Sequence, residues 1–388
     1  MAGKQGVKTG RKKVVEQVER KNQSLNEKIV DLESEIGKTK YNKRTQRAVG
    51  LMKAKLAMLK QRATQRSSAG KAAGDDRFSV RKTGDATCVL LGFPSVGKST
   101  LLNKITMAKS DVGAYNFTTL SAVPGLLNHK FAKIQIIDVP GIVSGAASGR
   151  GRGKEVLSML RSADLAIILI DAIYPQHYEA ILQEIYETDI RLNQKKPDAR
   201  IMKKERGGIA IGTTVKLTKT DKATIEAVAR EFRISNADIL IREDINIDQF
   251  IDIIEGNKNY LKSLVVITKI DLISKEKLKE ISSLIKPDIC VSAEKDIAME
   301  DLKESIYQKL GFISIFLKEV NKKPDMEEPL IMFKDCTIKD VCNKLHKDFV
   351  TKFKFARVWG KSAKFDGQIF HKMDKSLQDG DILELHIR

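Results

Sequence analysis

Nine residues, Gly92-Phe93-Pro94-Ser95-Val96-Gly97-Lys98-Ser99-Thr100, carry the densest chemistry in the chain. Their spacing is G-x-x-x-x-G-K-S. The apolar run Cys88-Val89-Leu90-Leu91 precedes them, and Leu101-Leu102-Asn103-Lys104-Ile105 follows. Strand, glycine-rich turn and helix start, in that order, make a phosphate-binding loop. Glycines at 92 and 97 let backbone N–H groups crowd round a triphosphate where no Cβ blocks the approach. The opening helix adds the positive end of its dipole. Lys98 is expected to reach the β- and γ-phosphates, and Ser99 to ligate Mg²⁺.

Further residues follow in the order that a GTP hydrolase needs. Ala114-Tyr-Asn-Phe-Thr-Thr-Leu offers Thr118 and Thr119, either of which could close over the γ-phosphate and complete the metal shell. Ile134-Gln-Ile-Ile-Asp-Val-Pro-Gly is a strand ending in D-x-x-G. Asp138 is expected to hold Mg²⁺ through water, and Gly141 to offer its N–H to the γ-phosphate. Residues 144–153 are too glycine-rich to be rigid and read as a switch that orders on nucleotide binding. Thr268, Lys269 and Asp271 form a T-K-x-D base-reading loop after a strand, with Asp271 accepting from guanine N1–H and N2–H₂. Ser292, Ala293 and Glu294 supply the last base-contacting loop. Water would attack the γ-phosphate in line, with Lys98, Mg²⁺ and backbone donors stabilising the spreading charge. Ras-like enzymes orient that water with a Gln after D-x-x-G. Here the position is Ile142, whose aliphatic side chain can neither orient nor polarise water. Intrinsic turnover should be slow, with help from a cation, the ribosome or a partner protein.

These residues need a sheet to bring them together. Leu165-Ala-Ile-Ile-Leu-Ile-Asp is another buried strand, and 131 residues separate Asp138 from Lys269. A strand–helix–strand unit takes roughly 30 or more residues, so about 70 look inserted. The expected fold is α/β. A doubly wound P-loop GTPase sheet spans 77–172 and 246–315. It carries an inserted α+β lobe at 173–245, a basic helical hairpin and linker at 1–76, and a strand–helix–strand tail at 316–388. In the hairpin, Val18, Leu25, Ile29, Leu32 and Ile36 mark one helix face, and Met52, Leu56 and Leu59 mark the other. The insert holds the basic runs Gln194-Lys-Lys and Lys203-Lys-Glu-Arg-Gly-Gly.

Charge is unevenly placed. The chain of 388 residues has a net charge of +19, and residues 1–74 hold 19 Lys and Arg against 6 Asp and Glu. A basic front segment suits a polyanion, most simply RNA or a ribosome. Four cysteines without C-x-x-C spacing read as reduced thiols in the cytoplasm. No apolar run approaches the ~18 residues of a membrane span.

The chain resembles the developmentally regulated GTP-binding proteins among the Obg-like GTPases. The likeness rests on the phosphate loop, Tyr-Asn-Phe-Thr-Thr-Leu, Asp-Val-Pro-Gly-Ile-Val, Gly-Arg-Gly-Arg-Gly-Lys-Glu-Val and Phe-Lys-Phe-Ala-Arg-Val-Trp-Gly, and it covers essentially the whole chain. The resemblance implies a lobe like a ribosomal-protein domain and a ubiquitin-like TGS tail used for RNA or ribosome contact. It also implies a cytoplasmic GTPase acting with ribosomes in translation, and it favours Thr119 over Thr118 as the metal ligand; the chain is expected to be a monomer. Two departures stand out. Thr268 replaces the usual Asn of N-K-x-D, which is expected to weaken loop anchoring. Ser95 stands where potassium-stimulated members place an Asn, so K⁺ is an open expectation. The alternatives are a slow or inactive nucleotide-gated switch that binds RNA or ribosomes, an ATPase, and a purely structural RNA-binding protein. Retention of Asp271 argues for GTP over ATP.

Overall fold

A computed structural model of the chain describes residues 25–68, 84–106, 123–139 and 153–388. Two helices come first, α1 over 25–38 and α2 (Gln46–Ser68). Then follow β1 (Ala86–Leu91), α3 (Lys98–Ile105), β2 (Val123–His129), β3 (Ala132–Asp138), α4 (Gly153–Ser162), β4 (Leu165–Asp171), α5 (His177–Glu187) and β5 (Ile190–Leu192). Next are β6 (Ala199–Lys203), β7 (Ile209–Thr213), α6 (Lys222–Glu231), β8 (Ala237–Ile241) and α7 (Ile247–Glu255). The chain continues through β9 (Asn259–Thr268), α8 (Lys275–Ile285), β10 (Ile289–Cys290) and α9 (Met299–Leu310). Its tail holds β11 (Phe312–Leu317), β12 (Leu330–Phe333), α10 (Ile338–Leu345), α11 (Lys347–Thr351), β13 (Phe353–Trp359), β14 (Gln368–Phe370) and β15 (Ile382–Ile387).

The large sheet has the order β10-β9-β4-β1-β3-β2, parallel except for the β2–β3 hairpin. Register sets Leu90 of β1 against Asp138 of β3 and Ile167 of β4. Every residue of β1 and β4 is buried, because helices cover both faces. One face packs Val89, Leu91 and Ile168 beneath α4, α5 and α8; the other packs Cys88, Leu90 and Ile167 beneath α3 and α9. The chain moves from β1 outward to β3 and then back to β4 on the other side. The strand order therefore reverses beside β1, where ligands of doubly wound sheets bind.

A second unit joins α1 and α2 to the stretch Lys195–Lys258. Its sheet, β6-β8-β7, shares one core with α6 and α7, built on Ile225, Val228, Ile239 and Phe250. Ala54 of α2 is wholly buried in that core. Gly50 lets α2 come close: a Cβ there would lie 3.2 Å from both the Thr224 and the Ile247 side chains. The apolar stripe Met52, Leu56 and Leu59 is only half-buried. Small residues, rather than that stripe, make the tightest contact, since they admit a neighbouring helix. Hydrogen bonds from Gln46 (2.8 Å) and Tyr41 (3.3 Å) to the Lys219 carbonyl hold the start of α2.

The excursion from the large sheet was expected over 173–245 and runs instead over 195–258. Parallel pairing of β5 with β9, Ile190 opposite Asn259, keeps α5 and β5 with the large sheet. Phe250 and Ile251 of α7 are buried in the small core, which keeps α7 with the small unit. The tail sheet, β12-β11-β15-β13-β14, packs Ile315, Val358 and Leu383 against Val341 and Cys342 of α10.

Candidate nucleotide site

The expected site residues that fall within the described chain gather at one edge of the large sheet. Gly92 follows β1, Asp138 ends β3, Asp171 ends β4, Thr268 ends β9 and Ser292 follows β10. These strands are parallel, so their C-terminal ends share an edge. Thr119, Gly141, Ile142 and the glycine-rich stretch up to residue 152 lie outside the described residues.

The two glycines of the phosphate loop serve different ends. Gly97 has φ +97°, and no heavy atom lies within 4 Å of a Cβ built there, so its backbone is open to an approaching phosphate. Gly92 is required by packing: its Cβ would come within 2.9 Å of the Leu169 carbonyl oxygen and of Val96 Cγ1. Val96 is buried, while Pro94, Ser95, Ser99 and Thr100 are exposed. Phe93 is half-buried against the core below α5, and its ring stacks on His177 at 4.1 Å and 23°. Tyr174 continues that stack outward at 5.5 Å.

Lys98 bends over its own loop and donates to the Gly92 carbonyl at 3.1 Å and the Phe93 carbonyl at 3.2 Å. Burial lowers its pKa, partly offset by the Asp138 carboxylate. Ser99 Oγ donates to Asp138 Oδ2 at 2.9 Å. Asp138 Oδ1 is buried and has no hydrogen-bond partner among the described residues. A serine hydroxyl beside a carboxylate with one unused oxygen fits a hard divalent cation and its bound water, so the donor set suits Mg²⁺.

The base loop is tied to the phosphate loop. Thr268 Oγ1 lies 2.9 Å from the Val96 carbonyl and 3.3 Å from that of Ile170, and its single proton serves one at a time. Thr268 therefore bridges the two loops through one hydroxyl donor. Lys269 Nζ donates to the Ser95 carbonyl and to Asp171 Oδ2, both at 2.7 Å. Ser95 and Lys269 both have left-handed backbone, at φ 63° and 57°. The bond between them holds two uncommon conformations in place. Asp171 has one signal in the sequence, an acid closing an apolar run. Ser292, fully buried, donates to Asp271 Oδ1 at 2.6 Å, and this bond is the main cause holding the Asp271 carboxyl below its ordinary pKa. Asp271 keeps lone pairs for a donor edge such as guanine presents. Ala293 is half-buried against the core and Glu294 is exposed.

A phosphate loop, a serine–carboxylate pair and an acidic base loop on one edge of a doubly wound sheet define a P-loop GTPase, here with a separate tail sheet. Comparison with known proteins agrees. The family described as "50S ribosome-binding GTPase" matches residues 87–204, the C-terminal region of the same domain matches 206–312, and the TGS domain matches 315–387. A GTP-binding protein of Methanocaldococcus jannaschii is 54% identical over 94% of this chain and 93% of its own. Developmentally-regulated G-protein 3 of Arabidopsis thaliana is 40% identical, covering 93% and 98%. Human developmentally-regulated GTP-binding protein 2 is 38% identical, covering 88% and 94%. Among solved structures, Era of Aquifex aeolicus with GDP·AlF₄⁻ is 19% identical, covering 71% and 72%, at a TM-score of 0.32. The chain belongs to the developmentally-regulated GTP-binding protein family and is a GTP-binding protein with a TGS domain. Among the described residues, no helix is long and apolar enough to cross a membrane.

Proposed function

We propose that this protein hydrolyses GTP slowly by itself and faster on the ribosome or its RNA, in translation. The observation carrying the reading is the single frame made by Thr268–Val96 and Lys269–Ser95, which fixes the base loop against the phosphate loop. In this reading Asp271 selects guanine and Ser292 orients it. The flanking Ala293 and Glu294 complete the base loop. Lys98 turns from the Gly92 and Phe93 carbonyls to the β- and γ-phosphates, and the N–H groups of residues 92–100 take the remaining oxygens. Ser99, Asp138 and Thr119 would hold Mg²⁺, which would supply positive charge to offset that of the phosphates. Gly141 donates its N–H to the γ-phosphate. Ile142 leaves the attacking water unoriented, which makes the enzyme slow and dependent on help. K⁺ would be one source of help, with Ser95 at the position where potassium-stimulated members place an Asn. The protein works in the cytoplasm as a monomer, its basic helices and tail contacting RNA.

The test is single-turnover hydrolysis of GTP, with and without ribosomes, in KCl and in NaCl. Ribosomes should raise the rate at least about tenfold, lowering the barrier by about 1.4 kcal/mol. An unchanged rate, with binding intact, would leave a nucleotide-gated switch in place of a ribosome-coupled enzyme.

A further inference from the structure

The tail sheet buries one face and leaves part of the other open. Ala356 and Val358 of β13 and Leu383 and Leu385 of β15 face the core under α10. Strand alternation places Phe355, Arg357, Trp359, Glu384 and His386 on the opposite face. At the β11–β12 end that face packs Phe312 and Ile331 against the nucleotide-domain core. Toward β14 it is open, with Ile369 44% and Phe365 65% exposed.

Glu384 organises this surface. It is 1% exposed, yet it lies on the side away from the core. It bonds Lys318 and the His386 ring, with the Arg357 guanidinium 3.9 Å away. Burial by itself would raise the Glu384 pKa; the bonds from Lys318 and His386 outweigh it and hold the carboxyl lower. Each of those partners is thereby set against a ring. Lys318 Nζ sits 4.7 Å from the Trp359 ring centre, and His386 stacks on Phe355 at 4.1 Å and 18°. Lys361 and Lys364 are exposed on the β13–β14 loop. Together Lys318, Arg357 and these two lysines outnumber Glu384 and Asp366, so the face keeps a positive surplus.

We propose that this face is a stacking platform for unpaired RNA bases, with Arg357 and the loop lysines on the phosphates. Preset rings interleaved with cations suit a single strand, whose free bases have a π-face to offer. An RNA duplex keeps its bases stacked on one another and offers this face only backbone and minor-groove edges, with no free π-face. The inference rests on the RNA reading given under Proposed function and adds where the RNA binds and in what form.

Trp359 is the single tryptophan of the chain, so its emission reports on this face alone. The full chain is titrated with a 12-nucleotide oligouridylate and with a 12-base-pair RNA duplex. Trp359 emission and the anisotropy of labelled RNA are followed, and ribosome binding is measured by co-sedimentation. The single strand should quench Trp359 saturably and bind more tightly than the duplex. Phe355→Ala should weaken it about tenfold. Arg357→Gln, at an exposed position that leaves the fold alone, should lower the salt slope by about 0.7. GDP affinity should be unchanged in both variants. RNA or ribosome binding that leaves Trp359 emission unmoved and ignores both variants overturns this platform while the ribosome reading stands. Equal affinity for the duplex also overturns it, because stacking would then contribute nothing. Failure to bind both the oligonucleotide and the ribosome overturns the platform and the RNA reading together.

Discussion

Thr268 offers the sharpest test of how the site is held together. The residue is 5% exposed, and its hydroxyl reaches the Val96 carbonyl at 2.9 Å. Thr268→Val keeps the volume and removes the only donor. A buried acceptor left short costs about 1–3 kcal/mol. Val96 lies under a loop whose Pro94 and Ser95 are exposed, which favours the lower part of that range, about 1–2 kcal/mol. For a unit of this size the melting temperature should fall by about 2–8 °C. Nucleotide affinity should fall as well, about three- to tenfold, because two loops no longer fixed to each other must be ordered on binding. Scanning fluorimetry gives the first quantity and titration with a fluorescent GDP gives the second. Thr268→Ser keeps the hydroxyl and should retain most of both. If Thr268→Val melts and binds GDP like the native protein, Thr268 does not join the loops and the account of the frame is wrong.

Other outcomes follow from the same structure. Lys98→Ala and Ser99→Ala should each abolish turnover without unfolding the protein, read by phosphate release and circular dichroism. Asp271→Asn should lose GTP and gain xanthosine triphosphate in competition binding, because the amide presents a donor where guanine also has one. Gly92→Ala should destabilise the protein and impair GDP binding, since its Cβ would meet a strand carbonyl at 2.9 Å and backbone there cannot move aside. The Glu304 pKa is pulled down to about 2, chiefly by His129, with Lys130 and Gln308 adding to it. A depressed carboxyl stabilises above its unfolded value and loses that contribution as pH falls toward 2, so Glu304→Gln should flatten acid unfolding between about pH 4.5 and 2. Ribosome binding through the basic front segment should weaken with salt; because α2 packs in the small core, its charge is tested by replacing exposed Arg47, Lys55 and Arg62 with Gln. That variant should lower the salt slope of ribosome binding by about 2.

The chemistry was legible in the sequence wherever it is contiguous. The phosphate loop, D-x-x-G, T-K-x-D and the final Ser-Ala-Glu each depend on a few neighbouring residues after a strand. The apolar runs ending at Leu91 and Asp171 announced buried parallel strands because helices cover both faces. The order of the motifs also announced an excursion, since 131 residues separate Asp138 from Lys269. Its bounds were not legible: β5 is three residues long, and only its pairing with β9 assigns it to the large sheet. The single helix expected in the strand–helix–strand tail is two, divided at His346, whose extended backbone ends α10 and whose ring accepts from Asp348 N at 3.2 Å. Histidine is a weak break signal, so the apolar period ran through it.

Sequence by itself determined the class of ligand, the strand–turn–helix units that hold it and the concentration of positive charge at the front. Each of these follows from local residue types and short spacings. Only the tertiary structure decided which distant residues complete them. Thr268 meets Val96 across 172 positions, Lys269 meets Asp171 across 98, and Gly92 is fixed by the Leu169 carbonyl rather than by a phosphate. Sheet register and strand order set these pairings, and neither is encoded in the spacing of any single segment. The docking of α2 was decided in the same way: its more apolar stripe stayed half-buried because Gly50 and Ala54 allow the closer approach to α6 and α7.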